Sequence, residues 1–117
     1  MSDHKAVVEA YLAGFRSTDD PAVLANLAHD IFWAIHGHRT LGGKAAFDTE
    51  IEAGGAVDSP TIAVDRLIED GDTVVAVGHS EMTMPDRGPI GFVFNEVFTF
   101  TDDLIGRLET FHINLAR

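Results

Sequence analysis

The sequence predicts an α+β fold, with helices from the start of the chain packed on one face of a bent antiparallel sheet. Three observations carry that expectation. Apolar residues recur at helical spacing in the first thirty positions, at two-residue spacing after Pro60, and the later stretches are joined by short turns. Short connections between successive strands make neighbours antiparallel. With 117 residues and no linker, repeat or low-complexity tract, residues 1–117 are expected to form a single domain.

Each element follows from local chemistry. Ser2 or Asp3 is placed to cap a first helix, and Val7, Val8, Tyr11, Leu12 and Phe15 make one apolar stripe of 3.6-residue period. That helix should fade near Arg16, before Ser17-Thr18-Asp19-Asp20-Pro21. Pro21 suits the first position of a second helix with Asp20 as its cap, and Val23, Leu24, Leu27 and Ala28 supply the buried side. Ile31 to His36 is short and rich in branched and aromatic residues, which predicts a strand. Gly37 to Gly43 is a connection, and Lys44 to about Ala53 a third helix stopped by Gly54-Gly55. Four strands then follow, Thr61–Glu69, Thr73–Met84, Ile90–Thr101 and Leu104–Leu115. Asp70-Gly71-Asp72, Pro85-Asp86-Arg87-Gly88 and Thr101-Asp102-Asp103 are the turns between them.

Composition narrows the function. Apolar residues make up 45 % and charged residues 23 %, the balance of a globular chain. No cysteine is present, which removes disulfides, thiol catalysis and thiolate metal sites. Nineteen acidic against eight basic residues give a net charge of −11, and the basic residues are scattered singly, against a nucleic-acid or acidic-membrane partner. The longest apolar run, Ile31 to Ile35, is far short of a membrane span, and no secretory leader is readable. A cytoplasmic protein is expected. The six histidines lack metal-ligand spacing, and GxGxxG, P-loop and GxSxG motifs are missing, so no metal and no cofactor is expected.

Alternation points to where a ligand would sit. Phe92, Phe94, Glu96, Phe98 and Phe100 share one strand face, so burying that face strips water from a carboxylate and raises its pKa unless a cation is near. Arg66 or Arg107 would serve as such a structural partner. On the preceding strand Val75, Val77, His79, Glu81 and Thr83 share a face, which suggests a strand running from core into a wet cavity. On the last strand Leu104, Leu108, Thr110, His112 and Asn114 alternate with Ile105, Arg107, Glu109, Phe111 and Ile113, as if one side lined a cavity and the other met a partner. A solvated face for His79 and Glu81, and core packing for Tyr11 and Trp33, are the competing readings.

The chain resembles the nuclear transport factor 2-like superfamily, in particular its SnoaL-like and ketosteroid isomerase-like domains. The resemblance rests on Ala6-Val7-Val8-Glu9-Ala10-Tyr11-Leu12, on Asp30-Ile31-Phe32-Trp33 leading to Gly42-Gly43-Lys44-Ala45-Ala46-Phe47, and on Asn95-Glu96-Val97-Phe98-Thr99-Phe100-Thr101-Asp102-Asp103 with Ile105. It implies a cone, a curved sheet with the N-terminal helices on its concave face, and a homodimer formed through the sheet. Such a fold hosts many chemistries. By the resemblance, Tyr11 matches the helix-1 tyrosine of an isomerase oxyanion hole and Glu96 its late-strand acid. The isomerase's aspartate base has no counterpart, since Ile35 takes its position and His36 lies one residue on. The Asp-Arg-Asp set of epoxide hydrolases and the tyrosines of scytalone dehydratases are not matched either.

Three functions follow. The first is a domain binding a small apolar or aromatic molecule among Phe15, Trp33, Phe47, Glu81, Phe92, Phe94, Phe98 and His112, anchored by Tyr11 and Glu96. The second is an isomerase or cyclase in which Tyr11 and Glu96 polarise a carbonyl and His79 or His36 moves the proton. The third is a non-catalytic homodimeric scaffold with a vestigial cavity.

Overall fold

The structure, a computed structural model, describes residues 3–17, 19–52, 61–84 and 88–115. Helix α1 spans His4–Arg16, and Asp3 caps it by accepting a hydrogen bond from the Ala6 N–H at 3.1 Å. Its apolar stripe buries Val8, Tyr11 and Leu12. Helix α2 is Asp20–Leu24, with Asp19 rather than Asp20 as its cap, accepting from the Ala22 N–H at 3.2 Å. It ends earlier than the apolar spacing predicts, because Leu27 and Ala28 belong to the next strand. The Asn26 side chain donates to the Ala22 carbonyl at 2.8 Å and the Asn26 carbonyl accepts from the Ile105 N–H at 3.0 Å, so sheet pairing overrides the helical period.

Strand β1 is therefore Leu27–Ile35, longer than expected at its start, and β2, Arg39–Gly42, lies within the stretch expected to be only a connection. Gly37, at φ 87°, allows the turn between them. Helix α3 spans Lys44–Glu52. The expected stop at Gly54-Gly55 and the Pro85-Asp86-Arg87 turn fall outside the described residues. Strands β3 (Thr61–Asp70), β4 (Thr73–Met84), β5 (Gly88–Thr101) and β6 (Leu104–Asn114) sit close to their predicted bounds.

The six strands form one curved sheet in the order β2-β1-β6-β5-β4-β3. Neighbours are antiparallel except β1 and β6, which run parallel, a departure from the all-antiparallel expectation. A parallel pair needs a long crossover, and here everything from β2 to β5 supplies it.

Register decides which residues share a face, because directly opposed residues point the same way. The rows Val74–Phe98–Leu108, Ala76–Glu96–Thr110, Gly78–Phe94–His112 and Ser80–Phe92–Asn114 run across β4, β5 and β6. Val74, Ala76, Gly78 and Ser80 are buried, so these rows are the concave side. The core lies there, where Val8, Tyr11 and Leu12 of α1 meet Phe94, Phe98, Phe100 and Leu108. This reverses the expectation for β4: Val75, Val77, His79 and Glu81 face outward. The physical reason is size. Phenylalanines on β5 need small neighbours, and a Cβ on Gly78 would lie 2.9 Å from Phe94 Cζ. Branched residues on β4 are thereby left for the outer face. Among the described residues no helix is long and apolar enough to cross a membrane.

Candidate functional site

The concave face carries a carboxylate, Glu96, in the middle of its row of phenylalanines. Glu96 sits on β5 between Phe94 and Phe98 and is half-buried, while those two rings are buried. Thr110, opposite it on β6, donates its hydroxyl proton to Glu96 Oε2 at 2.8 Å. The Trp33 indole N–H of β1 in turn donates to Thr110 Oγ1 at 2.9 Å. Thr110 is 1 % exposed, so this chain of two bonds runs through a dry part of the fold. Glu96 Oε1 has no hydrogen-bond partner among the described residues. Loss of hydration pushes the Glu96 carboxyl from 4.5 to about 7, and the Thr110 bond opposes that rise by favouring the charged form.

Tyr11 reaches the same region from α1. Its ring makes edge contacts with Phe15 at 5.1 Å, Phe98 at 5.4 Å and Phe47 at 6.3 Å between centroids. Burial, and secondarily the negative charge of Glu96, push its hydroxyl well above the ordinary tyrosine value. Trp33 stacks on Phe47 at 4.2 Å, which fixes the indole plane and aims its N–H at Thr110. Phe47 and Phe98 are sealed in the core, whereas Phe15 is half-buried.

The remaining candidates do not gather here. His79 is exposed on the outer face, its Nδ1 3.3 Å from Asp65 Oδ2, and Glu81 is exposed on the same side. His36 also lies outside, stacked on Phe111 at 4.4 Å with Nε2 3.3 Å from Glu109 Oε1. The inward placement expected of His79 and Glu81 is thus corrected, and His36, offered as an alternative proton carrier, also faces away from Glu96. His112 keeps the concave parity, tilted over Phe92 at 4.7 Å, but is exposed; desolvation and the nearby His38 lower its pKa. Arg66 and Arg107 do not neutralise Glu96: Arg107 lies beside Glu109 at 3.8 Å and over the Phe32 ring.

Two clefts lie away from Glu96. One of about 630 Å³ is lined chiefly by β3, β4 and β5 residues, His79 and Glu81 among them, and one of about 420 Å³ lies between α1 and β3. Neither is lined by Tyr11 or Glu96. Among the described residues no group of three or more His, Cys, Asp or Glu side chains is arranged to hold a metal ion.

Sequence reasoning missed Thr110 and the polar role of Trp33. Counting back from the Thr101-Leu104 turn sets Glu96 opposite Glu109; the register shift between Thr99 and Phe100 moves it to Thr110. Only the parity shared by Leu108, Thr110 and His112 hinted at it.

Comparison with known proteins bears on what this arrangement serves. The SnoaL-like domain profile matches residues 8–108. No curated protein matches the chain. Among solved structures, an NTF2-like protein of unknown function from Burkholderia pseudomallei superposes with a TM-score of 0.87 at 22 % identity, over 97 % of this chain and 92 % of that one. A putative ketosteroid isomerase from Kribbella flavida gives 0.76 at 18 % identity, over 96 % and 78 %. TerC, co-crystallised with polyporic acid, gives 0.81 at 23 % identity, over 94 % and 91 %. At these identities the likeness is one of fold.

Proposed function

The chain belongs to the SnoaL-like domain family, and from that premise we propose that it binds a small apolar or aromatic molecule carrying an oxygen, which meets Glu96 on the concave face. One observation carries this reading: Glu96 stands half-buried among phenylalanines with one oxygen held by Thr110 and the other without a hydrogen-bond partner among the described residues. A carboxyl poised near 7 is neutral in about half the molecules at that pH, so it can donate a proton or a hydrogen bond to the ligand. In ketosteroid isomerases an acid kept neutral by an apolar site serves an oxyanion hole. The likeness of Glu96 to such an acid, with Tyr11 beside it, supports an isomerase-like or cyclase-like proton transfer. His112 is then the candidate to move the proton, since His79 and His36 face outward. TerC, a fold neighbour crystallised with polyporic acid, favours the same class of ligand.

A second reading is a homodimer formed through the outer face. Val93, Phe111 and Ile113 are 38 %, 41 % and 66 % exposed there, side by side on β5 and β6. The two readings are compatible, and the second alone would make the chain a scaffold.

Thermal shift of the wild type, Glu96→Gln and His79→Ala against planar phenols, steroid ketones and polyketide-like aromatics, at pH 6 and pH 8, tests the first. Bound at a hundred times its dissociation constant, a ligand adds about 2.7 kcal/mol of stability. The expected result is a shift weakened by Glu96→Gln and retained in His79→Ala. No shift with any class, in proteins that melt cooperatively, overturns it.

A further inference from the structure

We infer that Trp33 is a positioning residue for Glu96, acting through Thr110 to decide which carboxyl oxygen faces the ligand and in which hydrogen-bonding role. The inference rests on Glu96 being the group that meets the ligand, but its geometry does not depend on any ligand.

A threonine hydroxyl has one proton to give. Trp33 Nε1 carries a hydrogen and no acceptor, so at 2.9 Å from Thr110 Oγ1 it is necessarily the donor. Thr110 therefore accepts from the indole with one of its two lone pairs, and Glu96 Oε2, at 2.8 Å, is the only acceptor for its own proton among the described residues. That oxygen is then an obligatory acceptor. When Glu96 is neutral, its proton resides on Oε1, which has no hydrogen-bond partner among the described residues, and the acid presents an O–H to whatever lies on the concave face. When Glu96 is ionised, Oε1 presents lone pairs instead. Without the indole N–H, Thr110 would be free to rotate and accept from Oε2–H, which turns Oε1 into a carbonyl-type acceptor. The ligand oxygen suited to the neutral acid is an acceptor, such as a carbonyl or phenolate oxygen, and not an alcohol that offers only its proton.

The relay is rigid for reasons the packing supplies. Trp33 and Thr110 are 8 % and 1 % exposed, and the stack on Phe47 holds the indole plane. The elements around Glu96 present few other charges: α1 brings Tyr11, β4 brings Ala76, α3 brings Phe47, and β6 brings His112 one row beyond Thr110. Tyr11 and His112 are the titratable groups among them.

A single tryptophan gives the protein a single indole N–H resonance, which makes the relay directly observable. The experiment follows that resonance and the Glu96 side-chain carboxyl carbon by NMR from pH 5 to pH 9, without ligand, in the wild type, Trp33→Phe, Thr110→Val and Thr110→Ser. In the wild type the indole and Glu96 signals should move with one midpoint. Thr110→Val should raise the Glu96 midpoint by about one pH unit and detach the indole signal from it. Thr110→Ser, which keeps the hydroxyl, should restore both. Trp33→Phe should raise the midpoint in the Thr110 background and leave it unmoved when added to Thr110→Val. An indole signal indifferent to the Glu96 midpoint overturns the inference even if no variant folds, and so does a Trp33→Phe effect that is the same with valine at 110. Ligand failure in thermal shift would leave these titrations intact, so the two readings fall separately.

Discussion

Replacing Glu96 by glutamine should make the protein less sensitive to rising pH. The folded state holds the Glu96 proton more tightly than the unfolded chain, with a pKa of about 7 against 4.5. The stability that comes from keeping this acid neutral is therefore complete below 4.5 and is lost as the pH climbs through 7. Raising the carboxyl from 4.5 to about 7 corresponds to about 3 kcal/mol in all, of which roughly 2.5 falls between pH 5 and pH 8. Because Glu96 is only half-buried, about 2 kcal/mol is the sounder figure. Glutamine cannot ionise and keeps the Thr110 proton in place through its carbonyl oxygen. Urea unfolding of both proteins at pH 5, 6, 7 and 8 measures the difference, and the six histidines, common to both, cancel in it. The variant should gain on the wild type by about 2 kcal/mol across that range. Parallel profiles, within about 0.5 kcal/mol, would refute the reasoning by showing that water reaches the carboxylate in the folded state.

Two further outcomes test the packing. Gly78→Ala should destabilise by about 2–3 kcal/mol in the same urea assay, because the new Cβ strikes the Ala63 carbonyl oxygen and lies 2.9 Å from Phe94 Cζ. Asp3→Ala removes the side chain that accepts from the Ala6 N–H and should cost about 1 kcal/mol, with circular dichroism showing the helix still formed.

Periodicity was a good guide where one term dominated. The stripe Val8, Tyr11, Leu12 could be read because α1 has one wet side, and the phenylalanine face of β5 because four rings at two-residue spacing can only be buried together. It misled on β4, where valines outside and Ala76, Gly78 and Ser80 inside invert the usual rule. Their size is dictated by rings on another strand, a fact no window within β4 contains. The same limit hid Leu27 and Ala28, whose apolar spacing fits a helix but whose partner is β6. At the site, Glu96 stood out by its company, whereas Thr110 needed a register shift that local spacing does not encode. His36, His79 and Glu81 drew attention as titratable residues within strands, and their exposure on the outer face fits the simpler expectation for such residues.

The parallel pairing of β1 with β6 also sets an order of events. Trp33 and Thr110 are 77 residues apart in sequence, and closing a loop of that length costs entropy that local hairpins do not face. The β3–β4, β4–β5 and β5–β6 hairpins can zip along the chain as neighbours, but the β1–β2 hairpin has no place in the rest of the sheet until the final strand exists. On the ribosome, the β1–β2 hairpin must therefore wait to dock until β6 emerges. Thr110 is both the last partner of β1, opposite Ile35, and the donor to Glu96, so a truncation that reaches it would loosen the earliest strand and the latest bond together.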